Sequence, residues 1–123
     1  MYVQGFVLAV PEGNKDAYRE VAEKFWDIVK DYGCLSQIEC WEADIKDGTT
    51  TDFRMAVKAE PGEKIVFAWT TWPDRATVDT SHEKLMADPR MGEHFGNPDG
   101  SDMPFDGKRM IFGGFEPIVW KEA

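Results

Sequence analysis

One segment of the chain predicts a turn followed by a strand: Met103-Pro104-Phe105-Asp106-Gly107-Lys108-Arg109-Met110-Ile111-Phe112-Gly113-Gly114-Phe115-Glu116-Pro117. Asp106-Gly107 supplies the turn, and Gly113-Gly114 predicts a bulge or a close backbone approach within the strand. Large apolar residues point to both sides of this strand, with Met110 and Phe112 opposite Ile111 and Phe115. A strand without a polar face has to be covered on both faces.

Three further segments share this two-sided apolar pattern, and we predict strands at 3–10, 35–43 and 64–72. Two helices separate them. The first follows Asn14 as a predicted N-cap and runs to residue 32, with Gly33 as its C-terminal glycine. The second is capped by Asp74 and ends at residue 88, because Pro89 cannot continue it.

Two connecting segments give weaker signals. Residues 52–58 fit either a short helix or an edge strand, and we favour the helix. Residues 96–107 are rich in glycine, proline and aspartate, so we expect an ordered loop there.

This order of elements predicts an α+β fold of the ferredoxin-like βαββαβ type over residues 1–123, as one domain. Its four-stranded antiparallel sheet carries both main helices on one face. The other face would expose about a dozen apolar side chains, each worth about 1.5–3 kcal/mol on burial. A soluble monomer does not tolerate such a patch, so we expect a second copy to cover it and form a dimeric α/β barrel.

The chain also resembles a known family. Residues 104–115, together with Thr51-Asp52-Phe53-Arg54-Met55-Ala56-Val57-Lys58-Ala59 and Ala87-Asp88-Pro89-Arg90-Met91, are similar to the YbaA-like family of small uncharacterised bacterial proteins. The resemblance spans nearly the whole chain and implies a ferredoxin-like fold in the dimeric α/β-barrel superfamily. It implies no activity. The chain departs from the family pattern by a longer loop at residues 94–101.

The charge composition disfavours two classes of binding partner. Lysine and arginine number 14 against 23 acidic residues, which gives a formal charge of -9. This charge repels nucleic acids and anionic membranes, so neither is an expected partner. The amino-terminal residues do not resemble a signal peptide, and no apolar run has the length of a membrane span. We interpret Cys34 and Cys40 as buried thiols in a reducing cytoplasm.

His82 is the candidate catalytic residue. Helical spacing puts it between Val78 and Met86, on the face predicted to contact the sheet. It could serve there as a general base or a haem ligand, although a hydrogen-bonded histidine without a catalytic role is the more common case. His94 is expected to be exposed.

Four further residues are candidate ligand contacts: Trp41, Trp69, Met86 and Arg109. Packing across the barrel accounts for most of the aromatic residues without a ligand, and Lys108 and Arg109 are expected to pair with acidic residues such as Asp106 or Glu116. Residues 97–102 superficially resemble a calcium loop, but the glycine and the acidic ligands are misplaced. No metal or cofactor is therefore assigned.

The sequence leaves two functions open. One is a cytoplasmic homodimer that binds a small hydrophobic or aromatic molecule between helices and sheet, either as a ligand-binding protein or as a cofactor-independent monooxygenase-type enzyme. The alternative is a non-catalytic structural or stress-associated dimer without a ligand site. Whether the chain is an enzyme is not decided by its residues.

Overall fold

The computed structural model describes residues 1–97 and 100–123. Its strands and helices follow the chain in this order: β1 (Tyr2–Pro11), α1 (Lys15–Val29), β2 (Ser36–Trp41), α2 (Phe53–Ala56), β3 (Glu63–Trp72), α3 (Arg75–Ala87), α4 (Pro89–Phe95) and β4 (Ile111–Phe115). Short 3-10 turns occupy Glu12–Asn14, Lys30–Tyr32 and Gly107–Arg109. Within the described residues, no helix has the length and apolar character needed to span a bilayer.

The four strands form one antiparallel sheet in the order β2-β3-β1-β4. The predicted ferredoxin-like α+β fold is therefore confirmed. Strands β3 and β1 lie in the centre, and β2 and β4 form the two edges. One row of the sheet joins Phe115 of β4, Val3 of β1, Thr71 of β3 and Ser36 of β2.

Several local signals act as predicted. Gly33 adopts a left-handed conformation (φ 103°) after the last turn of the first helix. Asp74 accepts a hydrogen bond from the backbone N–H of Thr77, and Asp52 accepts one from Met55. The short helix preferred for residues 52–58 is confirmed as α2.

Asn14 does not cap α1. Its side chain makes no capping hydrogen bond and instead donates through Nδ2 to the carbonyl of Pro104, at 2.9 Å. The loop that precedes β4 is therefore fastened to the start of α1.

The chain after α3 differs from the prediction. Pro89 ends α3 as expected but also begins α4, because proline is well suited to the first turn of a helix. Asp88 caps α4 by accepting a hydrogen bond from the backbone N–H of Arg90.

Gly113 and Gly114 do not form a bulge, since β4 pairs with β1 in unbroken register. The alternative prediction, a close approach, is found at Gly114. The side chain of Tyr2 occupies the space that a Cβ atom at position 114 would need.

The two faces of the sheet are covered unequally. On the helix-facing side, Leu8, Val66 and Ala68 pack with Tyr18 and Ala22 of α1 in a buried cluster. We call the opposite side the open face; it carries ten largely apolar side chains: Val3, Val7, Ala9, Ile38, Cys40, Ile65, Phe67, Trp69, Ile111 and Phe115.

The open face exposes fewer residues than predicted. Val57, at the end of α2, packs on Ala9 and Ile65 with support from Ile45, so the segment around α2 covers one end of the face. Four side chains of the remainder, Ile38, Phe67, Ile111 and Phe115, are exposed to between 40% and 61%, while Val3, Cys40 and Trp69 are half-buried. An apolar patch therefore remains on the part of the face that α2 does not cover.

Arg109 fastens the loop before β4 to the rest of the sheet. Its guanidinium donates to both carboxylate oxygens of Glu63, at 2.7 and 2.8 Å, and to the carbonyl of Lys58 and the carboxylate of Asp106. The predicted contact with Asp106 is present, whereas Glu63 was not foreseen. The Arg109 guanidinium lowers the pKa of Glu63, whose side chain is only 7% exposed.

We expect Arg109→Ala to lower the free energy of unfolding by about 2 kcal/mol, because it leaves the Glu63 carboxylate without its charged partner. Urea denaturation at one fixed protein concentration measures the change. Lys108→Ala is the matched control, since Lys108 is the exposed neighbour and should change stability by less than about 0.5 kcal/mol. Equal stability of the two variants would contradict this role for Arg109.

Candidate functional site

A cavity of about 600 Å³ lies between the sheet and the helices. We call it the inner cavity. Its walls come from α1 (Tyr18, Phe25), the sheet (Leu8, Ala68), the α4 region (Met91, Phe95) and the loop before β4 (Met103, Phe105). Apolar side chains dominate this lining, and the volume lies within the range of small-molecule sites.

A hydrogen-bonded triad of Tyr18, Gln37 and Glu39 lies at the border of the inner cavity. The Tyr18 hydroxyl donates to Glu39 Oε2 at 2.7 Å, and Gln37 Nε2 donates to Glu39 Oε1 at 3.0 Å. Gln37 Nε2 also donates to the carbonyl of Ala22 in α1, which fixes the orientation of its amide. The glutamate carboxylate is thereby held in a defined position by one helix and one strand.

The fold positions the triad through simple periodicity. Gln37 and Glu39 are two residues apart on β2, so both side chains point to the helix-facing side. Tyr18 lies one turn into α1 and is only 9% exposed. Its hydroxyl reaches across to β2 from the core cluster.

The surroundings shift the pKa values of the triad. Packing around the carboxylate raises the pKa of Glu39, although the residue as a whole is partly open to solvent and its two hydrogen bonds act in the opposite direction. Burial, reinforced by the charge of Glu39, raises the pKa of Tyr18 far above its ordinary value. Tyr18 is therefore a permanent hydrogen-bond donor, and Glu39 is a carboxylate that holds a proton more readily than usual.

Gln37 has one unused polar atom. Its Oε1 is buried and has no hydrogen-bond partner among the described residues. Because Nε2 is already engaged by two acceptors, the amide cannot be turned round without losing both bonds.

A charged network fixes the far wall of the inner cavity. Asp88 accepts hydrogen bonds from the Tyr32 hydroxyl at 2.6 Å and from the Arg90 guanidinium at 2.8 Å, and Arg90 also pairs with Asp31 at 3.0 Å. The Arg90 guanidinium holds the pKa of Asp88 well below its usual range. The network ties α4 to the end of α1, so the apolar residues of α4 are held over the cavity.

A second concavity, the outer cleft, lies between α1 and β2 and has a volume of about 860 Å³. Trp26, Leu35 and Trp41 supply its apolar surface, and Lys15 and Arg19 stand at its rim. The outer cleft and the inner cavity have Tyr18, Ala22 and Glu39 in common. The triad is therefore the partition between the two spaces.

The predicted orientation of His82 is wrong. The buried side of α3 consists of Val78 and Ser81 with partly buried Leu85, so His82 lies one position outside this stripe and is exposed. No hydrogen bond or ion pair of His82 is found among the described residues. A catalytic role for His82 remains a prediction without a pocket around it. His94, expected to be exposed, is half-buried beside Phe95.

Of the four predicted ligand contacts, only Met86 and Trp69 border the same cavity. Met86 lines the inner cavity at its rim and is 74% exposed, whereas Trp41 lines the outer cleft beneath Lys15. Trp69 borders the inner cavity, but its ring packs against Phe67 on the open face. Arg109 is bound to Glu63 and Asp106.

Within residues 1–97 and 100–123, no group of three or more histidine, cysteine, aspartate or glutamate side chains could hold a metal ion. The rejected calcium loop at 97–102 includes Pro98 and Asp99, which lie outside the described residues. Cys34 is buried as predicted, and burial raises the pKa of its thiol to about 11, while Cys40 is only partly buried.

Comparison with known proteins assigns the chain to a family. Residues 1–107 match the family described as a protein of unknown function, DUF1428. The chain belongs to this family. The uncharacterised protein YbaA of Escherichia coli K12 is 53% identical over 118 residues, which cover 96% of this chain and 97% of YbaA. The uncharacterised YbaA of Shigella flexneri matches equally. The predicted family resemblance is confirmed, and it carries no established activity.

Solved structures share the fold of this DUF1428 protein at low identity. A dimeric ferredoxin-like protein of unknown function from Jannaschia sp. CCS1 has a TM-score of 0.56 at 13% identity and covers 95% of this chain and 100% of its own. A Bacillus cereus protein, assigned only provisionally as an antibiotic biosynthesis monooxygenase, has a TM-score of 0.53 at 12% identity over 99% and 97%. At this identity the similarity concerns the fold alone.

Sequence reasoning missed the triad of this family member. Tyr18 follows the apolar periodicity of α1, and that pattern gives no sign of the hydrogen bond that its hydroxyl donates to Glu39. The usable signal is on β2, where Gln37 and Glu39 alternate with Ile38 and Cys40. Two polar residues on the side that contacts a helix require partners in the core.

We expect wild-type stability to fall relative to Glu39→Gln as pH rises from about 4 to 8. A carboxyl whose pKa is raised by folding stays protonated while the unfolded chain has already lost its proton, so the folded state loses stability until its own pKa is passed. Thermal unfolding of both proteins across this pH range measures the difference. Glu83→Gln, on the exposed side of α3, should follow the wild type. A constant gap between wild type and Glu39→Gln would contradict the raised pKa.

Proposed function

We propose that this protein binds a small, largely apolar molecule, such as an aromatic ring system, in the inner cavity. The observation that carries the proposal is the carboxylate of Glu39, held by Tyr18 and Gln37 at the edge of a mainly apolar space whose other carboxylate, Asp88, is paired with Arg90. Apolar walls supply affinity, and one oriented polar group supplies specificity.

The chemistry of the triad defines the ligand class further. An ionised carboxylate only accepts hydrogen bonds, and each oxygen of Glu39 has a lone pair beyond the one engaged by Tyr18 or Gln37. A ligand with one hydroxyl or N–H donor therefore satisfies Glu39, and a carboxylate or phosphate is repelled. We infer a neutral aromatic or alicyclic ligand that carries a single donor.

A reaction at this site would use Glu39 as the proton acceptor. Its raised pKa favours accepting a proton from an acidic hydroxyl of the ligand, which leaves a neutral carboxyl group and a ligand anion. The monooxygenase type of reaction, which the fold superfamily suggests, stays a proposal that would begin with this proton transfer. A purely structural dimer is the competing function, and ligand binding distinguishes the two.

A pair of probes tests the ligand class. We expect wild-type protein to bind 2-naphthol about tenfold more tightly than naphthalene, because a hydrogen bond to a charged acceptor contributes about 1.5–3 kcal/mol. Isothermal titration calorimetry measures both affinities. Glu39→Gln should reduce this preference, whereas Glu83→Gln should retain it. If neither probe binds, the result favours the structural dimer. If both probes bind with equal affinity, Glu39 does not contact the ligand.

We also propose that the protein forms a homodimer through the open face. Ile38, Phe67, Ile111 and Phe115 are each 40–61% exposed on this face, and covering the exposed half of such a side chain contributes about 1 kcal/mol. A two-fold axis applies the gain to both copies at once. The patch lies on a sheet, so a second sheet packs on it with a flat and matching surface.

A single charge in the patch tests the dimer. We expect Phe67→Glu to convert the protein to a monomer, because the dimer would bury an unpaired carboxylate. Sedimentation velocity measures the oligomeric state. Phe112→Glu is the matched control, since Phe112 is 70% exposed but points to the helix-facing side of β4. Cys40, on the open face, should react with maleimide faster in Phe67→Glu than in wild type. A monomeric wild type at micromolar concentration would overturn the proposal.

A further inference from the structure

The methionines of this chain are concentrated around the inner cavity. The sequence contains six methionines, and four of them line this space. They are Met86, Met91, Met103 and Met110. Each comes from a different segment: α3, α4, the loop before β4, and the position directly before β4 itself. Four separate segments of the chain thus bring an unbranched side chain to the same cavity.

These four methionines do not fill gaps in a closed core. A methionine with that role is buried among its neighbours. None of the four belongs to the fully buried residues, Met86 is 74% exposed, and α4 as a whole contributes no buried residue. The four thioether side chains therefore border open space and have room to change rotamer.

The wall around Glu39 is rigid by comparison. Leu8 and Ala68 of the sheet are each 2% exposed, and Tyr18 is 9% exposed. Tyr18 and Gln37 hold the Glu39 carboxylate through hydrogen bonds of 2.7 and 3.0 Å. Close packing and these hydrogen bonds leave the side chains few alternative positions. One part of the cavity therefore has a fixed shape.

The strand order separates Glu39 from the methionines. Glu39 lies on β2 and Met110 directly precedes β4, and these two strands form opposite edges of the sheet. Three strand spacings, about 14 Å, lie between the edges. A molecule that is bound by Glu39 and extends across the sheet therefore meets the methionines with its apolar end.

Methionine gives such a wall an adaptable shape. Its side chain is unbranched, rotates about three bonds and carries a polarizable sulfur that makes favourable contacts with aromatic rings. It can therefore keep van der Waals contact with ligands of different outline. A wall of branched or aromatic side chains fits one outline and clashes with another, or leaves a void beside it.

We propose that the inner cavity accepts a series of phenol-like molecules that share the hydroxyl-bearing ring and differ in the apolar group beyond it. The inference rests on the proposed binding of a donor group by Glu39 and adds a breadth of specificity to it. Glu39 selects the polar end strictly, because its carboxylate is fixed in position. The four methionines accommodate the apolar end.

Two phenols with the same polar end and different apolar outlines test the proposal. 4-Phenylphenol carries a flat ring, and 4-cyclohexylphenol carries a puckered one. We expect their dissociation constants for the wild-type protein to differ by less than about fivefold, because the methionines adjust to either ring. Isothermal titration calorimetry measures both constants.

A variant with a stiffer wall provides the comparison. Met91→Leu and Met103→Leu together nearly preserve the volume of the wall but introduce branched side chains. We expect the ratio of the two dissociation constants to change about fivefold from its wild-type value, since one outline then fits better than the other. This comparison cancels the difference in hydrophobicity between the two phenols. Met55→Leu is the matched control, because α2 does not border the inner cavity, and it should preserve the wild-type ratio.

The NMR signals of the methionine methyl groups locate the bound phenol. In wild-type protein labelled with carbon-13 at these methyl groups, we expect the signals of the four lining methionines to shift during titration with 4-phenylphenol. The signal of Met55 should keep its position. This measurement and the wild-type affinities require no substitution, so they test the proposal even if the double variant is unstable.

The outcomes separate this inference from the proposed function. If the phenols bind and shift the four signals, but their wild-type dissociation constants differ by more than about fivefold, the breadth of specificity is refuted and ligand binding stands. A folded double variant that keeps the wild-type ratio refutes the role of the methionines in the same way. If neither phenol binds, or if binding leaves the four signals unmoved, the proposed site and the inference fail together.

Discussion

A four-stranded sheet has two faces, and α1 and α3 cover only one of them. This geometric constraint determines most of what the molecule does. The helix-facing side holds the core cluster and the inner cavity, which α1, α4 and the loop before β4 enclose above the sheet. The other side receives only the segment around α2, whose Val57 protects Ala9 and Ile65. The surface that is left over is the exposed apolar part of the open face.

The inner cavity and the open face require different side chains on the two sides of the same strands. β2 illustrates this, because its residues alternate between Gln37 and Glu39 on one side and Ile38 and Cys40 on the other. The polar pair points toward α1, where Tyr18 donates a hydrogen bond to Glu39 and the Ala22 carbonyl accepts one from Gln37. The apolar pair points outward. In an antiparallel sheet whose outer face meets water, the pattern is usually the opposite: the apolar side chains point toward the helix and the polar ones point outward.

The architecture was accessible from the sequence because it depends on periodicity and on strong punctuation. Gly33, Asp74 and Pro89 mark ends of helices through backbone requirements that hold in any environment. The apolar open face could be anticipated from apolar residues on both sides of each strand, although the cover supplied by α2 could not.

The candidate site was less accessible, because it depends on which residues meet in space. His82 is a candidate because histidine is a common catalytic residue type. It follows the buried Ser81 by one position on α3, and its side chain is therefore exposed to solvent. Glu39 and Tyr18 are 21 residues apart and meet only because β2 packs beside α1. Arg109 is correctly predicted to pair with Asp106, which lies three residues earlier in the chain. Glu63 is 46 residues away, so its contact with Arg109 can be recognised only from the fold. Local pairs can be read from spacing, and long-range pairs require the register of the sheet.

The contact between Tyr2 and Gly114 has an evolutionary consequence. The aromatic ring fills the position of a missing methyl group on the neighbouring strand, and the same ring packs toward the cluster around Trp72. A side chain at position 114 would push the ring away and disturb that cluster, while a smaller residue at position 2 would leave a hole above the glycine. Neither site is free to change alone. Across the family, the two positions should covary as a single inherited unit.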